Sequence, residues 1–373
     1  MINTYTNYQL ITRDISKSLA RVQNQPVVQR ETRYYLDNIG KVTSIEEFVN
    51  DTRLFNYAMK AHGLSDMAYA KAFMVKAMEG GIEDPGSFAN KLTDKRYADF
   101  VRSYNFAAYG SRATTYSPAL DGTADKYLEK GLMGQNGIPF LTMEADTAYY
   151  RKNIVNVQSV DDLLADDRLF NYAMRAHGLQ DFIDDETFMR RVLEGGIEDP
   201  DSFANRQADK RFAEFAGVFD FAKHGEAAIV HVPSHQAVVD KYMRQTLEED
   251  AGAQNEGVRL ALYFERKAGS ITSAYQLLAD TALAEVVRTV LGLPASMASA
   301  DIDKQAALIN ERLDIADLQD PEKLEKLMTR FTTMWEINNP SSPQISAASI
   351  LISQPLEFGI STDALMAIAK MKR

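Results

Sequence analysis

RLFNYAMKAHGL, residues Arg53–Leu64, returns 115 residues later as RLFNYAMRAHGL, Arg168–Leu179. Working outward, EGGIEDPGSFANK (Glu79–Lys91) pairs with EGGIEDPDSFANR (Glu194–Arg206), and DKRYADF (Asp94–Phe100) with DKRFAEF (Asp209–Phe215). Roughly half the positions of Ser44–Gly110 match Ser159–Gly225 without a gap, the mark of an internal duplication. Within the block, Leu54, Phe55, Ala58, Met59 and His62 fall on one face of a helix. Gly63 follows as the left-handed residue that ends it. Strand-like alternation is scarce, so the expected fold is all-α: a multihelical tandem repeat array.

A third, diverged copy emerges when the punctuation of the first two is used as a ruler. Ser44-x-x-Glu47 and Ser159-x-x-Asp162 read as capping boxes, and Ser273-x-x-Gln276 repeats the pattern. Gly292-Leu293 stands as far beyond Ser273 as Gly63 does beyond Ser44. Tyr34-Tyr35, Tyr149-Tyr150 and Tyr263-Phe264 precede their serines in register. Asp84-Pro85 and Asp199-Pro200 read as helix starts, aspartate capping and proline in the first turn. Asp320-Pro321 then opens KLEKLMTRFTTMW, which echoes DKRYADFVRSY. This copy needs an insertion near Pro294–Asp303 and a small deletion after Leu327.

The expected organisation is a flexible N-terminal segment (1–30), repeat 1 (31–135), repeat 2 (136–250), a diverged repeat 3 (251–339), and a Pro/Ser linker with an amphipathic tail (340–373). Asp125-Lys126-Tyr127 and Asp240-Lys241-Tyr242 recur in the connectors, and Ser234–Lys267 has few breakers and reads as one long helix. In the tail, Leu351, Ile352, Leu356, Phe358, Leu365 and Ile368 keep an apolar stripe that a disordered segment would not ordinarily retain. They are the candidate interaction residues.

The chain carries a net charge of −11 and a pI near 5.1. An acidic surface repels phosphate backbones, so nucleic acid is not an expected partner. No apolar run reaches the roughly 18 residues a membrane span needs. The start, MINTYTNYQLITRDISKSLARVQ, has no secretory h-region. There is no cysteine, which excludes disulfides, thiolate metal sites and thiol catalysis.

Candidate chemistry is sparse. His62 and His177 sit on the apolar face at a helix end, and the third copy carries Val290 at the corresponding place. A packed or capping histidine accounts for this, and both are kept only as weak cleft candidates. His231 and His235 are four apart, but Pro233 and Ser234 intervene and no third zinc ligand accompanies them. EGGIEDP puts glycines and an isoleucine where a calcium loop needs oxygens, so a turn explains it. The repeat aromatics, including Phe55, Tyr57, Phe73, Phe88, Phe100 and Tyr104, read as core. Phosphate loops, nucleophile elbows and dinucleotide fingerprints are absent. No catalytic residue, cofactor or metal is expected.

The paired blocks RLFNYAMKAHGL…GGIEDPGSFANK…DKRYADF and RLFNYAMRAHGL…GGIEDPDSFANR…DKRFAEF resemble the alphaproteobacterial domain of unknown function 1217, as does ITSAYQLLADTALAEVVRTVLGLP…DPEKLEKLMTRFTTMWE. The resemblance covers most of Tyr34–Glu336. It implies an all-helical fold and a gene placed among flagellar genes, and it carries no catalytic residue. Absence of cysteine, a polar start and an apolar tail fit a flagellar component, cytoplasmic or exported without a cleaved signal. The expected function is therefore non-enzymatic, through protein contacts in flagellum assembly. The alternative is a small-ligand binder or enzyme using a cleft between repeats.

Overall fold

The computed structural model describes residues 3–133 and 139–339. Among them the regular elements are helices, with no strand. The chain starts with α1 (Thr4–Thr12) and α2 (Ile15–Gln23). Copy 1 follows as α3 (Pro26–Ile39), α4 (Ile45–Asn50), α5 (Thr52–Ala61), α6 (Lys71–Gly80), α7 (Phe88–Lys91), α8 (Arg96–Ser103) and α9 (Phe106–Tyr109). A connector, α10 (Thr123–Leu132), leads into copy 2: α11 (Phe140–Asn153), α12 (Val160–Ala165), α13 (Asp167–Ala176), α14 (Glu186–Glu194), α15 (Arg211–Val218) and α16 (Phe221–His224). After the second connector, α17 (Pro233–Gln254), come α18 (Glu256–Ala268), α19 (Ala274–Ala279), α20 (Thr281–Leu291), α21 (Ile302–Arg312) and α22 (Pro321–Asn338).

One local design is repeated three times. An aspartate caps α5, α13 and α20 by accepting from two backbone amides: Asp51 from Arg53 and Leu54, Asp166 from Arg168 and Leu169, Asp280 from Ala282 and Leu283. A tyrosine from the preceding long helix donates to the other carboxylate oxygen: Tyr34 to Asp51, Tyr149 to Asp166, Tyr263 to Asp280. Each such cap is worth about 1 kcal/mol. The far ends match too. Gly63, Gly178 and Gly292 have φ of 69°, 71° and 63°, a region a side chain disfavours. Past them, the amides of Leu64, Leu179 and Leu293 donate back to the carbonyls of Met59, Met174 and Arg288, closing a Schellman turn. The third copy is therefore the same motif. Its serine differs: Ser44 and Ser159 accept from Glu47 and Asp162, whereas Ser273 makes no side-chain cap bond. Gln276 still accepts from the Thr272 amide, as Glu47 does from Thr43.

The helices pack as two units. The first is residues 14–251 and holds copies 1 and 2, which exchange their connectors. The connector after copy 1, α10, lies on α11 and α13 of copy 2, where Tyr127 stacks on Tyr172 with ring centroids 3.9 Å apart. The connector after copy 2, α17, returns to copy 1, where Tyr242 stacks on Tyr57, also at 3.9 Å. Lys60–Glu249 (2.8 Å) and Gln25–Asp250 (2.7 Å) tie the same helix to copy 1. Each copy thus contains a three-tyrosine stack, Tyr35–Tyr57–Tyr242 or Tyr150–Tyr172–Tyr127, whose third ring comes from a connector. The linear boundaries 31–135 and 136–250 consequently do not mark separate cores.

The second unit comprises 3–13 and 252–339 among the described residues. Here α22 packs on α18 and α20, and α1 closes over α18 and α22. Glu336 accepts from the Thr4 amide and hydroxyl, and Asn255 donates to Thr4. Gly257, in the first turn of α18, faces the Trp335 indole: a Cβ there would sit 2.2 Å from Cδ1. Gly257→Ala ordinarily favours a helix by about 1 kcal/mol. In this position we expect a net loss of about 1–3 kcal/mol from overpacking, read by chemical denaturation of the full chain.

Four expectations are corrected. The start is not a flexible segment: Asn3 and Asp14 cap two helices that bury Tyr8 and Val22, apolar contacts too sparse to show as periodicity. Asp84-Pro85 and Asp199-Pro200 do not open helices. Their carboxylates accept from the amides of Gly86 and Asp201, forming turns held by Asn90 and Asn205; only Asp320-Pro321 starts one, α22. Ser234–Lys267 breaks at Asn255, extended at φ −157°, whose side chain caps α18. Finally, α22 covers α18 and α20 as α10 covers α11 and α13, so its place is that of a connector, although its aromatic spacing echoes α8.

Candidate functional site

The two histidines end α5 and α13, at matching positions but with different partners. His62, 7% exposed, donates from Nδ1 to the Ala58 carbonyl (2.8 Å). Its Nε2 lies 3.1 Å from Ser103 Oγ and accepts from Lys241 Nζ at 3.2 Å. His177, 8% exposed, presents Nε2 to Thr123 Oγ1 (3.1 Å) and accepts at Nδ1 from Lys126 Nζ (3.4 Å). An ammonium donates only, so each ring must be neutral, and the two hold their proton on opposite nitrogens. Both rings meet phenylalanines edge-on, His62 on Phe100 and His177 on Phe215.

Burial, then Lys126 and Lys130, pull the His177 pKa down to about 3. Burial, with Lys126 and Arg211 adding repulsion, also lowers Lys130. These cations lie at the C-terminal end of α13, where the helix dipole and its free carbonyls attract them, and Arg211 donates to the Gly178 carbonyl. A neutral, enclosed imidazole facing lysines is built to hold a connector helix to its neighbour. A general base would need an orienting carboxylate and access to substrate.

The lysines are the residues that sequence reasoning missed. Lys126 and Lys241 belong to the repeated Asp-Lys-Tyr triplets, so the signal was present, but nothing in the spacing says which copy a connector joins. The register of Gly63, Gly178 and Gly292 also puts Leu291, and not Val290, opposite the histidines.

Other candidates separate. His224 and His231 stack at 3.7 Å where copy 1 has Tyr109 on Tyr116 at 4.0 Å. His235 donates to the Thr114 carbonyl. Among the described residues no group of three or more His, Asp or Glu side chains is placed to hold a metal ion. Of the aromatics, Phe55, Tyr57, Phe100 and Tyr104 are buried, while Phe73 and Phe88 are half-buried against each other. A cavity of about 550 Å³ beside α10 and α13 is lined by Tyr127, Asp146, Arg168 and Arg175, and its Arg168 and Asp146 already pair at 2.8 Å. The tail candidates Leu351, Ile352, Leu356, Phe358, Leu365 and Ile368 lie outside the described residues.

Residues 61–175 and 176–324 match the family described as "Protein of unknown function (DUF1217)". The chain belongs to this family. No curated protein matches this sequence. A crystal structure of an Agrobacterium tumefaciens protein from structural genomics is similar, at 38% identity over 90% of this chain and 94% of that one, with a TM-score of 0.55. The first family match starts at the end of α5 and ends near the end of α13. It therefore keeps α10 together with the copy 2 helices it covers. No helix among the described residues is long and apolar enough to cross a membrane.

Proposed function

We propose that this protein contributes to flagellum assembly or function as a non-enzymatic helical-repeat protein acting through protein–protein contacts. The flagellar part rests on the gene context that the family resemblance implies. The contact part rests mainly on one observation. At the end of α10 and the start of α11, Leu132, Met133 and Leu141 are 74%, 62% and 78% exposed. Three large exposed apolar side chains at adjoining helix ends are offered as a contact face for a partner. The two repeat histidines fit the same reading, since each is enclosed and bonded to a connector lysine. The protein works in the cytoplasm or is exported by a flagellar-type route without a cleaved signal.

An in-frame deletion in the encoding bacterium tests this. Loss of swimming, with filaments or secreted flagellar proteins reduced and restored by the full gene, is the expected result. A deletion strain with normal filaments, secretion and swimming would overturn it.

A further inference from the structure

In copy 1 the carboxylate of Glu249, on the connector α17, rests between two donors. Lys60 of α5 pairs with its Oε2 at 2.8 Å, and the side-chain amide of Gln245 donates to its Oε1 at 3.2 Å. In the 115-residue register of the repeat, Lys60 corresponds to Arg175 of α13, Gln245 to Lys130 of α10, and Glu249 to Gly134. Copy 2 thus keeps both donors, each now a cation, and its sequence lacks the acid. The whole stretch MGQNGIP, residues 133–139, contains no Asp or Glu. We propose that Lys130 and Arg175 form a binding site for the carboxylate of a ligand. The inference does not depend on the flagellar reading.

The two places match in space as well as in register. A Cβ on Gly63 would lie 3.5 Å from Gln245 Oε1, and one on Gly178 would lie 2.8 Å from Lys130 Nζ. Lys130 therefore stands at the end of α13 as Gln245 stands at the end of α5. Its charge is not needed to finish the helix, because the neutral Gln245 serves in copy 1. Among the described residues neither Lys130 nor Arg175 forms an ion pair. Burial, Lys126 and Arg211 all act against the Lys130 ammonium, and a bound carboxylate would offset that repulsion.

Arg175 also forms part of the wall of the cavity of about 550 Å³ beside α10 and α13. There Arg168 is already neutralised by Asp146, as Arg53 is by Glu31 in copy 1. Asp167 lines the same cavity but lies eight residues back along α13, about 12 Å from Arg175. Arg175 is therefore the cation of this wall that a ligand can use. Its guanidinium can hold a carboxylate through two parallel N–H bonds, and the ammonium adds another, all charge-assisted. Tyr127 and Tyr172 line the cavity too, a surface for the methylenes that carry the acid. The space admits a glutamate-like group, either on a partner protein or as a free dicarboxylate.

Calorimetric titration of the full chain at low ionic strength tests the site. The probes are glutarate, as the free acid, and a capped peptide of residues 247–250, Leu-Glu-Glu-Asp. Both should bind, and more weakly as salt is raised. Lys130→Gln, whose counterpart in copy 1 is Gln245, and Arg175→Gln should each weaken binding about tenfold or more. Arg175→Lys should keep most of it. Peptide binding about tenfold tighter than glutarate assigns the site to a protein partner, and equal affinity assigns it to a free carboxylate. Either result supports the site. Failure of both probes to bind, tighter binding of inorganic phosphate than of either acid, or affinities unmoved by Lys130→Gln and Arg175→Gln would overturn it.

Discussion

Tyr127→Ala is expected to destabilise the unit of residues 14–251 by about 3–5 kcal/mol, the usual loss when a buried aromatic is truncated. The reason lies in where the ring sits. Tyr127 belongs to the connector that follows copy 1, yet it is buried in copy 2 as the outer ring of the Tyr150–Tyr172–Tyr127 stack. Its removal opens a cavity and forfeits a stacking contact worth about 0.5–1.5 kcal/mol. Tyr242→Ala should do the same to copy 1. Because each connector completes the other copy, either substitution should lower the unfolding midpoint of both copies together. Denaturation followed by hydrogen exchange at α5 and α13 checks this. Loss confined to one copy would show that the two unfold separately.

Acid is expected to destabilise the same unit through His177. Its folded-state pKa of about 3 lies below the ordinary value of 6.5. Below pH 6.5 the unfolded chain takes up a proton that the folded protein refuses. The contribution is therefore fully present above pH 6.5 and is lost as the pH falls from there towards 3, by on the order of 4 kcal/mol in all. Carboxylates add their own losses at the lower end of that range, so the interval from pH 6.5 to 5 is the diagnostic one. In His177→Gln, which keeps polar atoms for Thr123 and Lys126 but cannot titrate, the stability curve should be flatter across that interval. An unchanged slope would mean that the imidazole is protonated in the folded state, against its lysine neighbours.

The helix ends were the most legible part of the sequence because local chemistry fixes them. Serine, aspartate and glycine act within four residues of themselves, so their spacing exposed even the diverged third copy. The tyrosine–aspartate bonds were half-visible: the aromatic pairs were in register, but what their hydroxyls reached was not. Packing partners were illegible for a physical reason. An amphipathic helix records that it must be covered and not by what, so Tyr127 and Tyr242 read as repeats of a connector and gave no hint of exchange. The same blindness made α22 resemble α8. Asp84-Pro85 misled because aspartate before proline serves a turn as well as a helix start, and the deciding bonds come from Asn90.

The exchange of connectors is the claim on which the histidine sites and the tyrosine stacks depend. The absence of cysteine allows a direct test with a short bis-maleimide cross-linker. Lys60 and Glu249 form an ion pair across the exchanged connector, so Lys60→Cys with Glu249→Cys should link within one chain and in high yield. Were the repeats strung in line, each covered by its own connector, Glu249 would instead lie beside Arg175, the residue of copy 2 that corresponds to Lys60. Efficient linkage of 60 to 249 with none of 175 to 249 is the expected result, and the reverse pattern would contradict it.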